Sequence, residues 1–323
     1  MLRPEAGCDR GQLLVIIALV LGIVFVALAI VVNAAIFTEN LATRETVDSE
    51  RTAAFTGDVE RAIEVRYNQT NSNGSHTASA ASSTFDDTFR TWTDQRSNVS
   101  ATEGGFFDAT WTTHVGWRLE QSTDGSFAPA DNRDETDWTV APNARNISAF
   151  ELNVTREDLH NGADTAAFHV LLSDNDSDTW TIYVYRDGDG AIVVTADDPT
   201  TTPKCTRATD RAVIDVRNGT FAGPECAALV PPTSLDGQLQ VEFGNVQATD
   251  GPERVNGTYT VVVNRSNAVA TDDDGEPIKF NRSGEAPPTA SAVVYAVDYT
   301  TTYERADVEH QRDGRYAPRA ELY

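Results

Sequence analysis

The cysteine residues are the first side chains whose type and spacing suggest a definite chemistry. Cys205 and Cys226 are separated by twenty residues, and no further Cys or His lies between Lys204 and Pro231. A zinc site needs additional ligands, whereas a disulfide needs only these two thiols and an oxidising compartment. We therefore expect a Cys205–Cys226 disulfide, whose loop closure is worth on the order of 3 kcal/mol. Two free thiols are the alternative.

Acidic clusters are the second feature that could do chemistry, because alternating carboxylates can surround a hard cation such as Ca²⁺ with oxygen atoms. The clusters lie at residues 174–178, 187–190 and 272–276. None of them completes an EF-hand, since no glutamate falls at the twelfth position with the required glycine. We interpret them as solvated hairpin turns, with calcium binding as the alternative. We predict no metal site and no cofactor.

Catalytic side chains do not form a recognisable pattern. The sequence contains no H-E-x-x-H, no G-x-S-x-G and no glycine-rich phosphate loop before a helix. The five histidines are scattered along the chain: His76, His114, His160, His169 and His310. We therefore predict that the protein is not an enzyme and has no catalytic residue. An exported hydrolase is kept as an alternative function.

N-glycosylation sequons are frequent in the sequence. Asn-x-Ser/Thr without Pro at x occurs at Asn68, Asn73, Asn98, Asn146, Asn153, Asn175, Asn218, Asn256, Asn264 and Asn281. Such an excess is typical of a surface glycoprotein, because a glycan hydrates exposed loops. The alternative is that a Thr-rich, turn-rich protein forms some sequons by accident. Asn153 and Asn264 lie in or beside strand patterns and are the weaker candidates, whereas Asn73 and Asn98 are the best.

The charge balance excludes one function class and indicates an environment. The formal net charge is −24 with a pI near 4.4, which excludes a nucleic-acid binder because phosphate contacts need a basic surface. Only Lys204 and Lys279 are lysines, and Asp exceeds Glu. At molar salt the Debye length is about 3 Å, so dense carboxylates no longer repel one another. The composition favours a halophilic protein over an ordinary acidic one.

A membrane anchor is predicted at the amino terminus. Residues 13–32 contain no charge, and at 1.5 Å per residue they span a hydrocarbon core of about 30 Å. The run is too long for a cleaved secretory signal of the common type. Arg10 lies just before the span, which predicts a cytoplasmic amino terminus and an extracellular carboxyl domain.

The residues that lead into the span carry a family resemblance. Asp9-Arg10-Gly11-Gln12 passes directly into Leu-Leu-Val-Ile-Ile, and the helix continues to Thr-Glu-Asn-Leu-Ala-Thr-Arg at residues 38–44. This stretch resembles the class III (prepilin-type) signal of haloarchaeal type IV pilin-like proteins. The resemblance implies a cut between Gly11 and Gln12 by a prepilin-type peptidase, with other pilin-like subunits as partners. Many pilins carry Glu at the fifth position after the cut, whereas here it is Ile16, which favours a minor pilin or pseudopilin over a major one.

Periodicity organises the rest of the chain. Apolar residues recur at helical spacing as far as Ile63, residues 68–83 predict a flexible loop, and Phe85, Phe89 and Trp92 predict a short helix over residues 84–96 with Ser83 as its N-cap. From Phe106 onward the period changes to two. The runs that alternate like half-buried antiparallel strands lie at residues 115–119, 150–154, 168–172, 180–185, 213–216, 239–243, 259–263 and 292–299.

The predicted fold class is α+β, with an amino-terminal transmembrane helix and helical stalk followed by a sandwich-like antiparallel β domain. The expected segments are a leader (1–11), the membrane helix and stalk (12–66), a linker with a short aromatic helix (67–105) and the β-rich extracellular domain (106–323). Whether residues 106–323 form one domain or two stays open. We expect an anchored, pilin-like surface protein, and the alternative is a permanently anchored binding module for cations or glycans.

Overall fold

The computed structural model describes the backbone of residues 9–163, 165–200, 203–235, 237–247, 254–264, 267, 269–271, 277–305 and 308–317. Within them, the side chains of residues 9–13, 37–54, 73 and 308 are not described. The chain divides into two compact units, Met1–Val59 and Glu60–Tyr323. The predicted α+β class is confirmed, because an apolar amino-terminal helix precedes a large, mostly antiparallel β domain.

Two long helices begin the chain. The first, α1, covers Asp9–Asn73 and contains the apolar stretch Leu14–Ile36, whose mean hydropathy is 3.5. The second, α2, covers Ala78–Thr102. The loop expected over residues 68–83 is therefore wrong except at residues 74–77, and the N-cap of α2 is Thr77 rather than Ser83.

Side-chain hydrogen bonds explain why this polar stretch is helical. Ser83 and Thr84 donate their hydroxyls to the carbonyl of Ala80, so they satisfy their polar groups within the helix. The Asn71 amide donates to the Val294 carbonyl, and its oxygen accepts from the Val294 backbone N–H, both at 2.8 Å. Tertiary contacts of this kind override the weak helix propensity of Asn, Ser and Thr.

Fourteen strands are described after α2. They are β1 (Gly105–Ser126), β2 (Trp138–Ala144), β3 (Ile147–Thr155), β4 (Phe168–Asp174), β5 (Thr179–Arg186), β6 (Ile192–Ala196), β7 (Lys204–Arg207), β8 (Arg211–Asp215), β9 (Thr220–Phe221), β10 (Leu239–Gly244), β11 (Asn256–Val263), β12 (Asn281–Arg282), β13 (Thr289–Arg305) and β14 (Val308–Tyr316). Each strand predicted from alternation overlaps one of them, and only the prediction at residues 213–216 extends past its strand, by Val216 after β8. The predicted hairpin at residues 187–190 joins β5 to β6, and Gly190 adopts the positive φ of +80° that the turn requires.

The strands form two sheets that share one core. One sheet has the order β12-β13-β1-β11-β3-β8-β9 with β14 added beside β13, and the other has the order β2-β10-β4-β5-β6-β7. Phe243 of β10 packs edge-on against Tyr259 of β11 at 5.2 Å between ring centroids, and Phe127 contacts both rings. A single hydrophobic cluster contains buried side chains of both sheets. The open choice between one and two β domains is resolved as one sandwich.

The two longest strands, β1 and β13, form the surface on which the second helix packs. α2 packs on β1 and β13 through a buried aromatic cluster in which the Phe89 ring lies 4.9 Å from the Trp111 ring and 5.5 Å from the Trp92 ring. Asp86 of α2 accepts hydrogen bonds from the Trp111 indole and the Thr113 hydroxyl. The aromatic stripe predicted on this helix is therefore part of the core.

Candidate functional site

The apolar stretch of α1 is the most distinctive surface of the chain. Every side chain in Leu14–Ile36 is exposed within its unit, with Leu14 69 % and Phe25 61 % accessible. Twenty-three residues of helix are about 34 Å long, which is sufficient to cross a hydrocarbon core. By length and composition this helix can span a membrane.

The proposed cleavage site lies at the beginning of the same helix. Gly11 and Gln12 are in α1, which begins at Asp9. The side chain of Gln12 and the whole of Cys8 fall outside the described residues. A cut after Gly11 would make Gln12 the first residue, directly before the apolar stretch. The amine of the new terminus would then lie at the end of the membrane-spanning segment.

The disulfide is formed between the two cysteines expected from the sequence. Cys205 lies on β7 and Cys226 directly precedes a short 3₁₀ helix, Ala227–Leu229, and their sulfur atoms are 2.05 Å apart. Cys226 is buried in the core cluster. The bridge therefore fastens a four-residue edge strand to the interior of the sandwich.

The carboxylates of the acidic turns are used by the turns themselves. Asp174 accepts hydrogen bonds from the backbone N–H groups of Asp176 and Asp178, both at 2.9 Å. Asp187 accepts from those of Asp189 and Ala191 in the same way. The cluster at residues 272–276 lies outside the described residues. In the part of the chain that the structure describes, no group of three His, Cys, Asp or Glu side chains could hold a metal ion.

The histidines do not converge on one place. His114 lies 2.6 Å from a carboxylate oxygen of Asp298, which also pairs with Arg315. His169 on β4 is half-buried, where it contacts the Asn245 amide and packs against the Tyr183 ring. Both are better described as surface pairing and packing residues than as parts of a shared catalytic arrangement.

The sequon asparagines differ in how available their side-chain amides are. Asn68 and Asn98 lie exposed on α1 and α2, and Asn175 and Asn218 lie exposed in turns. The other described sequons are partly buried: Asn146, Asn153, Asn256, Asn264 and Asn281. The amide of Asn73, one of the two best candidates, lies outside the described side chains.

Two adjoining grooves are features that sequence reasoning missed. One, of about 480 Å³, includes Glu151 and Arg217, and the other, of about 550 Å³, includes Tyr67 and Arg118. Both are lined by Ser148 and Thr260, so they adjoin each other on the eight-stranded sheet. These residues come from segments far apart in the sequence, and no local motif connects them. Both grooves are open; the lining of the first is mostly polar, whereas the second exposes more apolar than polar surface.

Comparison with known proteins adds no assignment: no protein-family model, no curated protein and no solved structure matches this chain.

Proposed function

We propose that this chain is a pilin-like, membrane-anchored cell-surface protein of the minor pilin or pseudopilin type, which displays a glycosylated β domain. The chain is inserted with its amino terminus in the cytoplasm and is cut by a prepilin-type peptidase between Gly11 and Gln12. It stays in the membrane through its first helix. Its work is assembly and display rather than catalysis.

The observation that carries this proposal is the direct junction between the charged leader and the apolar helix. Arg10 and Gly11 stand immediately before Gln12, and the exposed stretch Leu14–Ile36 follows within two residues. A peptidase at the cytoplasmic interface needs a small residue at the scissile bond and a hydrophobic helix after it. An exposed apolar helix can also pack against the helices of other pilin-like subunits in the membrane.

Three further features agree with display outside the cell. The disulfide between Cys205 and Cys226 suits an oxidising compartment. The exposed sequons Asn68 and Asn98 can take glycans without disturbing the core. The net charge of −24 suits a haloarchaeal protein that faces concentrated salt.

Mass spectrometry of the mature amino terminus tests the proposal. Protein isolated from the native host membrane should begin at Gln12, and a Gly11→Leu variant should keep its leader because a bulky side chain blocks the scissile position. Gly7→Leu, a matched change within the leader, should be cut normally. Recovery of wild-type surface protein with peptides that contain Cys8 would contradict the proposal.

The two adjoining grooves favour a second candidate, a permanently anchored binding module for glycans. Tyr67 and Arg118 offer an aromatic ring and a guanidinium to a hydrated sugar. The acidic turns do not favour the cation version, because Asp174 and Asp187 already accept backbone hydrogen bonds. An uncut leader together with glycan binding that Arg118→Ala abolishes would establish this candidate in place of the first.

A further inference from the structure

The free edges of the two sheets are mostly unsuited to pairing with another chain. β9 and β12 have two residues each, and β7 has four, including Lys204. β2 contains Pro142, and its pairing with β10 shifts register twice. Short strands, lysine, proline and bulges are the features by which natural sheets prevent edge-to-edge association.

β14 is different from these edges. It pairs with β13 over nine consecutive residues without a register shift, from Val308 opposite Arg305 to Tyr316 opposite Val297. It contains neither proline nor lysine. Among the described strands, only β13 pairs with it. One side of β14 therefore presents regular backbone donors and acceptors that can extend the sheet.

The charges along β14 indicate what would pair there. Glu309, Gln311, Asp313 and Arg315 alternate on its exposed face. Glu309 lies directly opposite Glu304 of β13, and both are exposed. Like charges directly opposite each other destabilise a strand pair, so Glu309 lacks a favourable cross-strand neighbour within its own chain.

We propose that β14 is a self-association edge, at which two copies of this chain pair their β14 strands antiparallel about a two-fold axis through Arg312. Residues whose numbers sum to 624 then lie opposite each other. Glu309 of one copy faces Arg315 of the second copy, twice in the dimer by symmetry, and Gln311 faces Asp313. Such an interface is isologous and closes at two chains.

The charges on β14 also favour this pairing register over the registers that are shifted by two residues in either direction. A shift of two residues one way places Glu309 opposite Asp313, and a shift the other way places Asp313 opposite its own counterpart, so acids would oppose acids in both. The two Arg312 side chains meet at the axis in the proposed register. Each is already paired with Glu60 at 2.7 Å, which offsets their mutual repulsion.

The first half of β1 is the competing edge. Residues 105–113 pair with β13, whereas the described pairs of β1 with β11 begin at Trp117. This segment has a single charged residue, Asp108, which cannot complement both Glu309 and Arg315. Pairing of β14 with this edge would also build an open ladder rather than a dimer. Pairing through β14 requires neither cleavage after Gly11 nor the proposed pilin-like function.

Cysteine cross-linking tests the register. Gln311→Cys and Asp313→Cys chains, each full length, carrying Cys8→Ser and a different tag, are mixed in detergent micelles at molar KCl. We expect a mixed disulfide dimer that contains both tags. Thr302→Cys with Thr300→Cys is the matched control on β13, because three strand spacings of about 4.8 Å separate the two β13 strands, beyond disulfide reach. Equal cross-linking of both mixtures, or none of the first, would overturn the proposal.

Charge reversal tests the contact independently of folding. Glu309→Arg gives Glu304 an opposite-charge neighbour in its own chain, so this variant should fold at least as well as the wild type. It should nevertheless raise the dissociation constant of the dimer on the order of tenfold, because an arginine at position 309 would lie opposite Arg315 of the second copy. Adding Arg315→Glu should restore dimerisation at molar salt, where the loss of the Arg315–Asp298 pair within each chain is followed separately by thermal denaturation. A wild-type chain that sediments as a monomer at all concentrations, or as oligomers larger than two, would refute the dimer.

Discussion

Acidic side chains outnumber basic ones in this protein, and many contacts of single side chains reflect this imbalance. The carboxylates of Asp174 and Asp187 stabilise their turns by accepting hydrogen bonds from backbone N–H groups. Several basic residues on the sandwich are paired with acids, as Arg211 is with Asp124 at 2.9 Å. The contribution of individual polar side chains to stability can be tested by single substitutions, first in the core and then near the surface.

Tyr259 is the clearest polar group of the core to test. Its ring is buried, and its hydroxyl has no hydrogen-bond partner among the described residues. Burial raises the pKa of the Tyr259 phenol, so it stays neutral in the folded protein. An unsatisfied buried hydroxyl is unfavourable, and Tyr259→Phe should raise the free energy of unfolding by about 1 kcal/mol. Chemical denaturation at molar salt measures this change.

Tyr299→Phe is the control for that measurement, because the Tyr299 hydroxyl donates to Glu60 and its removal should not stabilise the protein. A lower unfolding free energy for Tyr259→Phe would mean that the hydroxyl has a partner in the core, such as a buried water.

Lys279 makes a pH-dependent contribution to the stability of the fold. Its ammonium group lies 2.6 Å from Glu135 and 3.3 Å from Asp131, and the hydrogen bond to Glu135 raises its pKa above the ordinary value of 10.5. The ion pairs should therefore stabilise the fold below pH 10.5 and lose this effect as the pH rises through the higher pKa of the folded state. Lys279→Gln should lower the unfolding free energy by about 1 kcal/mol at neutral pH, and the difference should narrow in alkali.

Thermal denaturation as a function of pH measures the Lys279 effect. Lys204→Gln removes the only other lysine, which is exposed on β7, and should change the stability little at any pH. If Lys279→Gln and wild type differ equally at pH 7 and above pH 11, the ion pairs are not the source of the difference.

Elements in this protein depend on partners as much as on their own sequences. The amide of Asn71 bonds both backbone groups of Val294, so the last turn of α1 is held by a strand more than two hundred residues away. α2 is attached to β1 and β13 through its aromatic stripe. The last turns of α1 and the whole of α2 therefore belong to the structure of the β domain rather than to a flexible linker.

Truncation of Phe89 tests the attachment of α2. This side chain is fully buried against Phe85, Trp92 and Trp111, so Phe89→Ala should cost about 3 to 5 kcal/mol in unfolding free energy. Calorimetry of the unit at residues 60–323 measures the loss. Thr91→Ala, on the exposed side of the same helix, should be nearly neutral. A small effect of Phe89→Ala would show that α2 is only loosely attached to β1 and β13.

The acidic residues of the whole molecule lie outside the apolar helix. The stretch Leu14–Ile36 is uncharged, and the charges of Arg3, Arg10, Glu5 and Asp9 before it cancel, so the remainder carries the net charge of −24. At physiological ionic strength the Debye length is about 8 Å, which lets neighbouring surface carboxylates repel. A folding stability of about 5 to 15 kcal/mol can be exceeded by many small repulsions.

Salt dependence is therefore expected of residues 60–323. This unit should unfold cooperatively on heating in several molar salt and lose its near-UV ellipticity on dialysis to low salt. The Cys205–Cys226 bridge should moderate the loss without preventing it. An equal melting temperature in both buffers would show that the acidity is not an adaptation to salt, and the haloarchaeal assignment would be withdrawn.

Local patterns in the sequence determined several parts of this structure. Alternation placed the strands at residues 150–154 and 180–185, the Asp-Gly pairs placed the β5–β6 turn, and composition alone identified the apolar helix and the disulfide pair. Each of these features depends on the chemistry of neighbouring residues or on a pair without competitors. Such information is contained in a window of a few residues.

The tertiary structure alone decided the remaining features. β14 has few apolar residues and no clear alternation of hydrophobicity, and it is a strand because β13 offers nine consecutive partners. Residues 68–73 and 78–83 are helical because of contacts with β1 and β13 and of their own side-chain hydrogen bonds. The grooves at Arg118 and Arg217 exist only because distant strands lie side by side. In each case the stabilising partner is remote in sequence, and a local pattern contains no information about which remote segment will be adjacent.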